Sequence, residues 1–303
     1  MQRPTPHLEK LTATLANEKL PASDKLRVNA AIDKYKKWIS ALAKAEGARS
    51  NALVDMVQLL TEYKKYVDLE LIFDSPNDFL YRQKGQLKLD NSIIEEFLPW
   101  LINKSLFPEL PDLVKTGPTK CYSALYFDTT INSLRAGGGI TVRTKDQDFA
   151  LSRKLYIKAS HSSDYTDSAE VNTHIAYVAT EVKTNLDKTM FQEACATARD
   201  LRIAVPSARY FLMCEWLDMT PISTGPTDIE KVYLLRRGKR INSNVRKKYS
   251  EVNQRKLKRS EYSAYLDAHP FHPDVFESWT QNIKAILFNE IPVEDDVIQT
   301  GYF

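Results

Sequence analysis

An α/β core behind a helical N-terminal region is the fold class this sequence predicts, on three observations. Apolar residues recur at spacings of three and four through the first hundred positions. Beyond Gly137-Gly138-Gly139 the period drops to two, as in half-buried strands. An alternating segment, a helical stretch and a second apolar run then follow one another between residues 175 and 214, the order of a βαβ unit. No internal repeat is visible.

Taken in order, Val28, Ile32, Tyr35, Ile39 and Leu42 mark a first long helix, with Ser23 as its cap and Gly47 at its end. Leu53, Val57, Leu60 and Tyr63 or Val67 continue the pattern in a second helix from Ser50. Ser92 with Glu95 three residues on has capping-box spacing before Ile94, Phe97, Leu98 and Leu101, and Pro99 predicts a kink or an early stop. Leu71-Ile72-Phe73 and a hairpin around Gly85 are expected as short strands. Pro108, Pro111 and Pro118 mark a change of composition. Strands are predicted from Ile140 to Thr144, Phe149 to Lys158 and Ile175 to Lys183, then a helix from Lys188 to Leu201 and a strand through Tyr210-Phe211-Leu212-Met213-Cys214. The expected units are a helical region over 1–115, a core over 116–222 and a basic segment over 223–303.

The 303 residues are 43% hydrophobic and 27% charged, enough apolar mass for a large core, so disorder and fibre are excluded. No stretch approaches the roughly 20 apolar residues that span a bilayer, so no membrane partner is expected. The N-terminal Met-Gln-Arg-Pro-Thr-Pro-His lacks an apolar signal core, giving the expectation of a cytoplasmic address. Cys121, Cys195 and Cys214 show no Cys-x-x-Cys spacing and read as buried thiols.

Charge is unevenly placed. Of 42 basic and 39 acidic residues, Lys231 to Arg259 holds 12 and 1, leaving 30 and 38 for the rest of the chain. A segment of +11 suits a polyanion. Arg236, Arg237, Lys239, Arg240, Arg246, Lys247 and Lys248 are the candidate contacts to double-stranded DNA, because Lys and Arg neutralise phosphates and Arg forks read base edges. The bland alternative is a solvated helix face or arm without a ligand.

The sharpest chemical feature is Glu181-Val182-Lys183 closing the third strand. Alternation puts Glu181 and Lys183 on one face and Val182 on the other. If the preceding strand pairs antiparallel, Asp148 meets Glu181. Two converging carboxylates call for a cation, and hard oxygen donors suit Mg²⁺. An amine beside them can orient a water and offset charge at a phosphate. Glu-x-Lys alone is weak, since about one or two copies arise by chance in such a chain. Glu62-Tyr63-Lys64 is a second copy, on a helix where i and i+2 side chains diverge, and is read as a solvated face.

An Asp on one strand, Glu-x-Lys closing the next, then a helix and a parallel strand resembles the PD-(D/E)XK nuclease superfamily. The strings around Lys145–Leu151, Glu181–Ala194 and Tyr210–Asp218 are similar to the BbvCI-type restriction endonucleases, over about residues 137 to 221. The resemblance implies a mixed sheet flanked by helices and a Mg²⁺-dependent endodeoxyribonuclease. It further implies a prokaryotic cytoplasmic setting and two related subunits that together cut an asymmetric site of the CCTNAGC kind, a homodimer being the less favoured assembly. Carried over, Asp148 and Glu181 bind Mg²⁺ with the Val182 carbonyl, Lys183 positions the attacking water, and Gln192 is a supporting polar residue. Gln147 stands where the superfamily's name has proline. Asp146 shares the parity of Asp148 and competes as the first ligand, although the motif's usual position favours Asp148. A repair nickase, a structure-specific nuclease and a non-catalytic DNA-binding protein are the alternatives.

Some residues are read as structural. Asp164 and Asp167 are expected to form turns. His269 and His272 belong to a rigid proline loop rather than a metal site. His161 is not needed as a base, and Trp216 is expected in the core or at a subunit contact. For Tyr249, Tyr262 and Tyr265, stacking and packing stay open.

Overall fold

In the computed structural model, which describes residues 3–47, 51–287 and 298, a five-stranded sheet lies between helical layers. The strands are β1 (Lys115–Phe127), β2 (Ile140–Ser160), β3 (Ser168–Leu186), β4 (Arg209–Leu217) and β5 (Ile229–Lys239), in that spatial order. β1, β2 and β3 pair antiparallel, whereas β3, β4 and β5 pair parallel. The expected mixed sheet flanked by helices is therefore present. Five helices precede it: α1 (Pro6–Leu15), α2 (Ala22–Glu46), α3 (Ala52–Lys65), α4 (Phe79–Leu87) and α5 (Ser92–Leu101). α6 (Lys188–Ala204) joins β3 to β4, and α7 (Ser243–Lys248), α8 (Val252–Ala268) and α9 (Pro273–Leu287) follow the sheet.

Alternation along the strands supplies the two faces. Phe149, Leu151, Val178, Val182, Phe211 and Met213 face a core shared with α1 to α5 and α9. Ala150, Ala176, Ala179, Tyr210, Leu212 and Cys214 face α6 through Phe191, Ala194, Ala198 and Leu201. Small residues on the second face let the helix sit close to the sheet. On the first, Trp279 of α9 packs edge-on against Phe149 at 5.1 Å and donates its indole N–H to Thr180 at 3.2 Å. No helix among the described residues is long and apolar enough to cross a membrane.

Several local expectations change. The apolar run through Leu71-Ile72-Phe73 is not a strand: it belongs to a π-helical turn, Tyr66–Phe73, that continues α3. Val67, Leu69, Leu71, Ile72 and Phe73 are all buried. A run buried on every side carries no periodicity to separate helix from strand. Gly85 lies inside α4 rather than in a hairpin. The Ser92–Glu95 capping box does not form. Ser92 donates to the Lys88 carbonyl at 2.7 Å, and Glu95 accepts from the Asn91 amide at 2.7 Å. Pro99 sits two residues before the end of α5, consistent with an early stop. Ser23 falls in the first turn of α2, behind Pro21, and Gly47 does end that helix. The start expected at Ser50 lies outside the described residues, as do most positions after 287.

The strands also run longer than alternation indicated. The first two predicted strands are one, the 21-residue β2, with register shifts in its pairing to both neighbours. Such shifts bend a strand and strengthen its twist. Here the curvature brings the two hairpin tips together, with the Gly137 N–H donating to the Asp167 carbonyl at 3.2 Å. Gly137 has φ of 57°, and a Cβ there would come within 2.8 Å of the Ala169 nitrogen, so the contact requires glycine. β1 escaped sequence reading because Gly117 and Pro118 interrupt its pattern. β5 lies in the segment expected to be a basic appendage, so part of that segment is sheet.

Candidate active site

β2 and β3 bring the acidic residues together by register. Phe149 pairs with Thr180, which sets Asp148 beside Glu181, and Asp148 Oδ2 accepts the Val182 N–H at 2.9 Å. Glu181 Oε1 lies 2.6 Å from Lys183 Nζ, both side chains on one face as alternation requires. On Glu181 Oε2, the Tyr210 hydroxyl donates from β4. Each carboxylate is thus clamped from its flank.

Burial and the charge of Glu181 push the Asp148 carboxyl above its ordinary range, partly offset by the Val182 N–H. Burial alone would lower the Lys183 ammonium, but its bond to Glu181 and the charges of Glu181, Asp148 and Glu193 outweigh this and raise it. Lys183 is therefore a protonated donor in the free protein. Nearby, Glu95 of α5 is pushed up to about 7 by burial and by Asp148. Asp148 and Glu181 thus meet at the end of the sheet, with the charges of Lys183 and Lys88 partly offsetting the burial of Asp148.

Asp148, Glu181, Val182 and Lys183 line a cleft of about 790 Å³. One wall is Lys84 of α4 and Lys88 just after it, and the other carries Arg240, Arg246 and Lys247. Its inner end is aromatic. Tyr262 stacks on Phe73 at 4.3 Å and Tyr265 on Trp216 at 4.7 Å, so these rings pack against one another while lining the cleft.

The other expected site residues are placed as follows. Asp146 is exposed opposite Lys120 and outside the cleft, which leaves Asp148 as the β2 acid that meets Glu181. Gln192 is exposed on α6, touches neither Glu181 nor Lys183, and is corrected as a supporting residue; the α6 groups that bear on the site are Glu193 and Thr197. Arg236 is also corrected. Its side chain is 1% exposed, donates to Glu215 at 3.0 Å and to the His269 carbonyl at 2.7 Å, and lies over the Phe271 ring. It is unavailable to an external phosphate. Arg237 pairs with Asp274, and it, Lys239 and Lys248 are exposed outside the cleft.

Asp164 forms its expected turn with Thr166. The residues His269 to Pro273 form a loop in which His269 Nδ1 bonds to the Tyr265 carbonyl and the His272 N–H to that of Leu235. Among the described residues no group of three or more His, Cys, Asp or Glu is placed to hold a metal. A full protein cage of the zinc kind is thus not present in them.

Glu95, Lys88 and Tyr210 were missed in the sequence. Glu95 looks like a helix cap and Tyr210 like a core aromatic, and only tertiary contact distinguishes them. Lys88 follows the end of α4 in a left-handed conformation, φ of 52°, so helical spacing from Lys84 does not place it, and it reaches the cleft only through the turn after the helix.

The family model for the Bpu10I restriction endonuclease matches residues 86–303. A solved structure described as the native BbvCI A2B2 tetramer at low resolution shares the fold, with a TM-score of 0.51 and 19% identity over 87% of this chain and 97% of that one. Comparison with curated proteins finds no match. A match over more than two thirds of the sequence, taking in Lys88, the acidic cluster on β2 and β3, and α7, makes this chain a member of the Bpu10I restriction endonuclease family.

Proposed function

We propose that this chain is one subunit of a Type II restriction endonuclease that hydrolyses one strand of double-stranded DNA with Mg²⁺. The observation that carries the proposal is the pairing of Asp148 and Glu181 beside Lys183 in a cleft whose walls bear Lys84, Lys88, Arg240, Arg246 and Lys247. Mg²⁺ keeps several waters and is commonly held by one or two carboxylates, so this small oxygen-donor set fits it. Asp148 and Glu181, with the Val182 carbonyl, would hold the ion. When bound, it supplies Lewis-acid charge at the phosphoryl oxygens.

The chain's own groups do the rest. Lys183, held protonated by Glu181, donates hydrogen bonds to the attacking water and stabilises negative charge on the phosphate. The basic walls neutralise backbone phosphates and set the strand across the carboxylates. The packed tyrosines and Trp216 give one side of the cleft a fixed aromatic lining.

One such cluster cuts one strand, so cutting both requires a second. A related but distinct subunit fits an asymmetric, CCTNAGC-like site, whereas an identical one fits a palindrome. The structural relative described as an A2B2 tetramer supports the first assembly.

The test is a supercoiled-plasmid assay with the chain alone and with a candidate partner, in Mg²⁺ and in EDTA. Discrete fragments should appear with the partner and Mg²⁺. Lys183→Ala should slow cutting by about 10² to 10³-fold, the usual worth of one preorganised donor. Random nicks in the absence of a partner would indicate a repair nuclease, and no metal-dependent cutting a binding protein. Parental cutting by Lys183→Ala would remove chemistry from this strand.

A further inference from the structure

Tyr210 is the second residue of β4, in the run Tyr210-Phe211-Leu212-Met213-Cys214. The parallel register places it beside Ala179, two residues before Glu181 and on the same face of β3. Its side chain is fully buried in the small core beneath α6, and its hydroxyl donates to Glu181 Oε2. A buried hydroxyl left without a partner is costly, so burial of the ring holds this bond in place. Thr197 of α6 is a second polar neighbour of the phenol and itself accepts from Lys145 Nζ at 2.7 Å. The support therefore reaches from β4 through α6 to β2.

Glu181 is contested by two donors. Lys183 takes one oxygen at 2.6 Å, and Tyr210 takes the other from the opposite side. Without the phenol, nothing holds the second oxygen, and the carboxylate is free to turn fully onto the ammonium. That collapse would occupy both groups with each other.

We infer that Tyr210 is a positioning residue whose hydroxyl holds the second Glu181 oxygen off Lys183, so that the pair keeps to one oxygen and the carboxylate stays turned for a divalent cation, with the ammonium still able to donate to water. The inference rests on the nuclease site proposed above. The removal of one oxygen atom, Tyr210→Phe, keeps the ring and its packing.

The experiment uses the full chain without DNA and follows Tb³⁺ luminescence, with displacement by Mg²⁺, below the melting temperature of every variant. Tyr210→Phe should bind Tb³⁺ about tenfold more weakly, the worth of a hydrogen bond to a charged group. It should also need more Mg²⁺ for half-maximal plasmid cutting. In a Lys183→Ala background the partner of the collapse is gone, so adding Tyr210→Phe should no longer change Tb³⁺ affinity. A tenfold loss that persists in that background overturns the restraint and leaves the phenol a purely structural part. Glu181→Gln separates the two levels. If it binds and cuts like the parent, the metal site itself is wrong. If it loses both while Tyr210→Phe matches the parent, only the role of Tyr210 is overturned.

Discussion

Glu62-Tyr63-Lys64 and Glu181-Val182-Lys183 are the same motif in two settings, and their fates differ. On β3 the alternation of a strand puts Glu181 and Lys183 side by side, 2.6 Å apart, facing a cleft. On α3 the helix sends Glu62 to solvent and turns Lys64 inward, where it is 1% exposed. Lys64 meets Asp68 at 2.6 Å and Glu215 at 3.0 Å, and Arg236 completes the cluster through Glu215. The helical copy is thus not the solvated face its spacing suggests. It is a buried ionic lock joining α3 and the π-helical turn to β4 and β5. Asp68 and Glu215 hold the Lys64 ammonium above its ordinary range in spite of the burial that would lower it. One Glu-x-Lys equips a cleft and the other fastens the helical region to the sheet.

The strongest way to break this contrast is Lys64→Ala. It leaves Glu215 and Asp68 buried with one cation fewer and should cost about 3 to 5 kcal/mol in urea unfolding. Cutting measured well below the new melting point should stay near parental. Lys183→Ala should behave in reverse, with cutting lost and stability little changed. A Lys64 variant that melts normally but cannot cut would mean the two copies had been assigned the wrong way round.

The arginines sharpen the same contrast at a smaller scale. Arg246 and Lys247 face the cleft, whereas Arg236 belongs to the lock. Replacing Arg246 and Lys247 with Ala should flatten the dependence of log K for DNA on log salt by about 2, near 0.9 per phosphate contact. Arg236→Ala should lower the melting temperature and leave the slope alone, as measured by fluorescence anisotropy across a salt series.

The smallest effect is a pH dependence at the cleft. Glu95 is held up to about 7, against an ordinary value of 4.5, by burial and by Asp148. The folded chain keeps a proton there that the unfolded chain has already released. Stability should therefore fall as pH rises from about 4.5 through 7. Glu96, the next residue of α5, is raised to about 7 by burial despite donors from Tyr35 and His7, and acts in the same window. Asp148, also raised, acts in the same direction, whereas buried His7, lowered to about 3, opposes them below pH 6.5, so Glu95→Gln should raise the melting temperature at pH 8 relative to pH 5 compared with the parent in EDTA. An unchanged pH profile would show that Glu95 is not held near Asp148.

Where a structural property depends on near neighbours in the chain, the sequence was a good guide. The parity of Glu181 and Lys183, the helix that becomes α6, the strand after it and the basic density after residue 230 all follow from local spacing. Asp148 beside Glu181 followed as well, because antiparallel pairing of two consecutive strands leaves little choice of partner. Legibility failed where burial was complete or contacts were distant. The run before Phe73 is apolar on all sides and gives no period. Arg236 resembles any surface base until β5 is seen to carry it inward against Glu215. Glu95 and Tyr210 have ordinary local explanations, a cap and a core ring, that only their neighbours overrule.

By itself the amino-acid sequence determined the alternation that pairs a carboxylate with an amine on one strand face, and the sign and location of the charge beside it. Tertiary structure alone decided which lysines, arginines and acids reach the cleft and which lock the core. Side-chain direction along one element follows from backbone geometry, but burial and charge pairing depend on groups that are distant in the chain and are brought together only by packing.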